Sequence, residues 1–335
     1  MSLFNTAKHY NVYLNIPDTI DFSWNAISAN DIFDIDSFLK QLIIKDERSL
    51  IVLWGVDHKI SIDDVRFLKL NEFYHGINNP MILFNGIDVT NSYLDFPTKQ
   101  INFFMHLSKE KSVQGYQTAT RNKKFLYCGT KDYLSRRYLL KTLIDHSSEG
   151  YLAYKCVNQD LSNRDYSEHD HSIILDRVST TDGLIPIQGF DSSIEFTEIP
   201  KNIIDDCHVS IITETYFDGP VYFSEKIFNA MMYNHIFIYL GPANSLSHLR
   251  QLGFRTWNHI LDEGYDSIVD PAQRLYAVDN VINNFLSKPI SEIKELYANN
   301  LDILEHNRRI ISETDITNSV VSGLEHAISL KRGLL

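Results

Sequence analysis

One stretch of this sequence leaves little freedom about fold class. From His208 to Gly253 a short β-branched run, Val209-Ser210-Ile211-Ile212-Thr213, is followed by an amphipathic segment over 224–233 and then by a second apolar run, Ile236–Leu240. In the middle segment Ile227, Phe228, Met231 and Met232 recur at helical spacing, whereas the flanking runs have the length and residue types of buried strands. Gly241-Pro242 then breaks the chain, Asn244 or Ser245 can cap another helix, and Gly253 suits its left-handed end. The order is β-α-β-α. Strands that alternate with helices pack as a parallel sheet covered by those helices, which places the unit in the α/β class.

The same alternation runs through the first third. Asn11–Ile16, Leu50–Trp54, Met81–Phe84 and Ile101–Met105 read as strands, and helical patterns occupy 34–43 and 62–74. A polar stretch, Ser108–Ser112 and Gln117–Lys124, precedes a second start at Phe125-Leu126-Tyr127-Cys128. After it, the turn Gly129-Thr130 leads into a helix candidate over 135–144, and 157–200 is polar and irregular, as loops or an insertion are. With 335 residues, about twice a usual domain, two domains are expected: 1–120, then 121–312, with a last helix in 313–335 that crosses back to the first. Two α/β halves with a ligand between them suit a two-domain nucleotide-binding enzyme.

The charge balance bears on one class of partner. The net charge is −12 and no block of lysines or arginines offsets it, so capture of nucleic acid by charge alone is not expected, although a local basic groove stays open. Cys128, Cys156 and Cys207 are too far apart for a paired framework or a clustered zinc site. The start of the sequence lacks a signal-peptide pattern, and no apolar run approaches a membrane span, so a cytoplasmic protein is expected.

Chemistry concentrates just past the strand 209–213. Glu214 follows it, and Tyr222, Ser224, Glu225 and Lys226 stand at the entry to the next helix, at the carboxyl edge where open α/β sheets bind ligands. A helix N-terminus presents unpaired N–H groups and partial positive charge, to which Lys226 adds a full one. A lysine there opposes the dipole, and that local cost points to an anionic partner. Spacing alone nonetheless favours the plainer alternative, a capped surface helix with an incidental Glu-Lys pair.

The run Tyr222-Phe223-Ser224-Glu225-Lys226-Ile227-Phe228-Asn229-Ala230, continued by Ile236–Leu240 and Gly241-Pro242, resembles the donor-binding signature of the α1,3-fucosyltransferase-type glycosyltransferases. Leu249–Trp257, Asp262–Asp266 and Arg274 are similar to a relative of that signature in phage and marine-virus glycosyltransferase-like proteins. There the stretch matching Lys124–Leu126 through Ser135-Arg136 recurs as well. The resemblance spans roughly residues 123–285. It implies a GT-B-like α/β architecture, two Rossmann-like domains facing each other across a cleft. It also implies that Glu225 holds the donor ribose, that Lys226 and Arg136 bind the diphosphate, and that Tyr222 lines the nucleotide pocket. Glu214 matches an acidic position one strand earlier, and Ser224 and Gly241 fall within the donor signature. Ser135 replaces a usual histidine and Gly129 a more common asparagine, which bears on the donor pocket and its sugar specificity.

The expectation is therefore a glycosyltransferase that moves a sugar from a GDP- or UDP-sugar to a hydroxyl, with inversion implied by the resemblance and without a required cofactor or metal. The acceptor is a glycan or a hydroxymethylated DNA base of phage type, in the host cytoplasm if the protein is viral; the alternative is a nucleotide- or carbohydrate-binding module without catalysis. The general base is expected at the carboxyl end of an N-terminal strand. Asp57, with His58 beside it, is preferred to Asp88, although turn chemistry explains either aspartate as well. His169-Asp170-His171 and Asp34-Ile35-Asp36 imitate metal motifs, but a solvated loop and a helix N-terminal charge explain them better.

Overall fold

The computed structural model describes residues 22–27, 35–42, 50–55, 65–85, 94–101, 105, 108, 121–129, 134–154, 199–214, 217–219, 221–314 and 316–333. The chain divides into two compact units: Met1–His106 together with Thr314–Leu335, and Leu107–Glu313. The first unit thus ends ahead of residue 120, the position that the polar stretch suggested.

In the first unit, strands β1 (Phe22–Ile27), β2 (Leu50–Gly55), β3 (Met81–Asn85) and β4 (Thr98–Gln100) pair in parallel in the order β1-β2-β3-β4. Helices α1 (Ile35–Gln41) and α2 (Val65–Gly76) link the first three strands. Alternate residues of β2 and β3 serve the two faces. Ile51, Leu53, Met81 and Leu83 pack with Leu70 and Tyr74 of α2 and with Phe96, whereas Ile82 and Phe84 lie against Gly323. Both faces are covered, which is why these strands read as unbroken apolar runs.

The expected strand over Ile101–Met105 is a correction. The ladder instead uses Thr98–Gln100, starting where the Leu83 N–H donates to the Pro97 carbonyl at 3.0 Å, and Met105 is helical. A polar, half-exposed edge strand carries no hydrophobic signal, so the more apolar residues beyond it drew the assignment.

The second unit holds β5 (Lys123–Gly129), α3 (Leu134–Asp145), β6 (Gly150–Tyr154), α4 (Lys201–Asp206), β7 (Cys207–Thr213), α5 (Glu225–Met232), β8 (Ile236–Leu240) and α6 (Ser245–Gln251). Helices α7 (Pro271–Leu286), α8 (Ile290–Ala298) and α9 (Leu301–Glu313) follow, and α10 (Thr317–Lys331) belongs to the first unit. The second sheet is parallel, with order β6-β5-β7-β8. From β5 the chain crosses to β6 on one side and then to β7 on the other, so the strand order reverses between β5 and β7. Gly253, at φ +92°, ends α6 in the left-handed conformation its sequence position suggested. No helix among the described residues is long and apolar enough to cross a membrane.

At the amino edge of this sheet two histidines are held neutral. His235 is fully buried, with Nε2–H donating to the Ile204 carbonyl and Nδ1 accepting from the Ser210 hydroxyl, each at 2.8 Å, and burial holds it well below the usual imidazole range. Burial also lowers His208 to about 4, although its Nδ1 donates to the Lys123 carbonyl at 2.9 Å. Below a pH of about 6.5 the unfolded chain binds protons that these folded residues refuse, so their contribution to stability falls as pH drops from there toward 4. Glu214 and Glu263, raised by burial, act in the opposite sense. Thermal unfolding of wild type and His208→Gln should therefore show wild type losing stability more steeply across that interval; parallel profiles would refute the assignment.

Candidate functional site

In an open α/β sheet the crevice for a ligand lies outside the carboxyl ends of the two strands where the order reverses. Here those strands are β5 and β7, followed by α3 and α5. Arg136 on the first turn of α3 is 1% exposed, and its guanidinium donates through Nε to Thr213 Oγ1 and through Nη2 to the Thr213 carbonyl, both at 3.1 Å. It therefore joins the two halves of the switch point at the last residue of β7. Its helix position taken alone favours an ordinary solvent-facing arginine, and its burial corrects that reading.

Helix α5 is capped by Ser224, whose Oγ accepts from the Lys226 N–H at 3.3 Å. Ile227–Met232 are all buried, so the helix is fixed by its core contacts and offers only its N-terminus to the carboxyl edge. Behind the cap stands Glu214, with a side chain that has no solvent exposure. Its Oε1 accepts from the Ser224 N–H at 3.1 Å and from the Ser224 hydroxyl at 2.9 Å. The Tyr239 hydroxyl lies 3.3 Å from the same oxygen and donates to the Tyr222 carbonyl at 2.8 Å. The other oxygen, Oε2, is buried without a hydrogen bond. Burial raises the Glu214 carboxyl above the usual range against the opposing pull of Lys226 and Ser224.

The Lys226 ammonium is turned back onto its own helix. It donates to Ser224 Oγ at 3.0 Å and lies 3.4 Å from Glu225 Oε1 and 3.7 Å from Glu214 Oε2. Its side chain is 12% exposed and that of Glu225 24% exposed, so both border solvent. Tyr222 is buried, and Gly241 is required where it stands, because a Cβ there would fall 2.4 Å from the Tyr239 ring. The structure thus gathers Arg136, Glu214, Ser224, Glu225 and Lys226 at one edge, with Tyr222 and Gly241 in the packing behind them. Asp57, His58, Asp88, Asp34 and His169-Asp170-His171 lie outside the described residues. Asp36 forms an exposed ion pair with Lys69 at 2.6 Å. No group of three or more His, Cys, Asp or Glu among the described residues is placed to hold a metal ion.

The neighbouring helix end behaves differently. The Leu246 and Ser247 N–H groups of α6 donate to the Asp266 carboxylate at 2.8 and 2.9 Å, so a protein carboxylate already fills that terminus. The end of α5 carries a serine cap and a lysine instead. Sequence reasoning assigned no role to Thr213, Tyr239 or Asp266, and it met Arg274 only inside the resemblance. Arg274 is 1% exposed and donates to the carbonyls of Gly241, Ile268, Val269 and Phe217, tying down the loops beside β8. No periodic signal marks such a residue, since its partners are main-chain atoms.

No protein-family model and no curated protein matches the chain. Two solved structures are similar to the chain. One is a crystal structure of the DNA-modifying enzyme β-glucosyltransferase in the presence and absence of uridine diphosphoglucose, at 12% identity and a TM-score of 0.45, covering 95% of this chain and 84% of that one. The other is an α,α-trehalose-6-phosphate synthase from Burkholderia multivorans, at 10% identity and a TM-score of 0.46, covering 91% and 76%. Likenesses at this level assign no role to any residue, and the reading below rests on the side chains of the carboxyl edge.

Proposed function

We propose that the protein is a glycosyltransferase of GT-B type that binds a nucleotide sugar at the α5 terminus and transfers the sugar to an acceptor hydroxyl. The observation that carries this reading is the convergence of Arg136, Glu214, Ser224 and Lys226 at the switch point of the second sheet. A diphosphate is the ligand that a lysine and free helix N–H groups recognise together. As the glycosidic bond breaks, negative charge grows on the departing nucleoside diphosphate; Lys226 and the helix terminus stabilise it, and Arg136 braces the edge from behind. Glu225, 24% exposed beside Lys226, is the residue this reading assigns to accept from ribose hydroxyls, as the sequence resemblance implies. Displacement of the leaving group by the acceptor from the opposite side gives inversion.

The acceptor hydroxyl must lose its proton as it attacks. Asp57, beside His58 and shortly after β2 in sequence, is the base this reading assigns, ahead of Asp88. This reading assigns the charge of the diphosphate to Lys226 and the helix terminus, so it calls for no divalent metal. Purified protein incubated with UDP- or GDP-sugars, and with oligosaccharides or hydroxymethylated DNA as acceptor, should release nucleoside diphosphate and glycosylated product. Excess EDTA should leave most turnover intact, and Asp57→Asn should bind donor yet lose single-turnover transfer. Donor binding without transfer or hydrolysis on any acceptor would mark a binding module, and loss of transfer in EDTA with rescue by manganese would overturn metal independence.

A further inference from the structure

The Lys226 ammonium is committed to the protein in a way that a purely ligand-directed lysine is not. Three partners hold it: Ser224 Oγ at 3.0 Å, Glu225 Oε1 at 3.4 Å and Glu214 Oε2 at 3.7 Å. For Glu214 the dependence is stronger. Its Oε1 has the Ser224 donors and the Tyr239 hydroxyl, but Oε2 has no hydrogen bond, and the lysine is the cation paired with it.

We propose that a diphosphate at the α5 terminus draws Lys226 away from Glu214, and that Glu214 then takes up a proton from solvent, so that donor binding and protonation of this buried carboxylate are one coupled event. The inference rests on the donor-site reading above. The proton goes to Oε2.

Among the described residues, Lys226 is the cation that acts on Glu214. From α5, Glu225 faces Glu214 with like charge; from β8 the Tyr239 hydroxyl faces it, and Asp266 acts on that tyrosine. From α3, Arg136 spends two donors on Thr213. Burial already favours the neutral acid, and Lys226 is the largest influence against it. Removing the ammonium and adding a diphosphate both push further the same way. A ligand that raises the affinity of a group for protons must bind more weakly as pH rises through the affected range.

Calorimetric titration with UDP-glucose and GDP-fucose tests this, because the doubly esterified diphosphate of a nucleotide sugar keeps its charge across the range used. Measured in buffers of different ionisation enthalpy from about pH 5.5 to about pH 8.5, binding should show a maximum of proton uptake approaching one per site. Difference infrared spectra in heavy water should gain a protonated-carboxyl band on binding. Glu214→Gln, which keeps the Oε1 acceptor for Ser224, should lose both signals and the associated pH dependence of affinity. Binding without uptake anywhere in the range, or with uptake unchanged in Glu214→Gln, overturns the coupling and leaves the donor site standing. Failure of the wild-type protein to bind either nucleotide sugar overturns both.

Discussion

Lys226→Ala should lower kcat about a hundredfold or more, with little change in the unfolding midpoint. The size follows from where the charge acts: a preorganised cation beside a leaving diphosphate helps most when the negative charge is fully developed, and loss of one such group costs that order of rate. Stability is largely kept because Ile227 and Phe228 fix the helix, and Glu214, which burial already inclines to the neutral acid, takes up a proton when its paired ammonium is removed. The lysine opposes the helix dipole, and relief of that cost offsets part of what Glu214 loses with its cation. Steady-state and single-turnover assays on a good donor check this, and unaltered turnover would remove Lys226 from the mechanism.

Arg274→Met should destabilise the second unit by about 3–5 kcal/mol, the cost typical of stranding the partners of a buried charged group. Methionine fills similar space but donates nothing. The carbonyls of Gly241, Ile268, Val269 and Phe217 would lose their donor together, and those of the buried Gly241 and Phe217 would be left as orphans at about 1–3 kcal/mol each before relaxation. The Phe217 ring, with the guanidinium carbon 5.8 Å from its centroid, would lose that neighbour too. Chemical denaturation gives the number, and a midpoint within error of wild type would show that the loops hold without the guanidinium.

The second unit was more legible in sequence than the site it carries. Ile236–Leu240 and Ser224–Tyr233 stand out because their apolar residues are dense and their ends are punctuated by Ser224, Gly241-Pro242 and Gly253, local signals that tertiary structure did not override. Thr98–Gln100 was illegible for the opposite reason: three polar residues form a strand because β3 offers them an edge. Strand order β6-β5-β7-β8 is a global property that no local pattern encodes, and it alone puts Arg136 beside Thr213. Similarly, Glu214 could be placed at a sheet edge from sequence, but its complete burial and its bare Oε2 depend on Tyr239 and Ser224 arriving from two other elements.

Helix α10 completes the first unit, yet it follows the whole of the second in chain order. Gly323 lets it lie directly on Ile82 and Phe84, where even a methyl group would fall 2.9 Å from the Phe84 ring. During synthesis the first sheet is therefore made early and sealed late. While residues 107–313 emerge and settle around their own core, the Ile82–Phe84 face waits without its cover, exposed to the wrong partners that an open apolar surface attracts. The order of the chain makes the first unit, the earlier one to leave the ribosome, wait for its last helix until the second has been made.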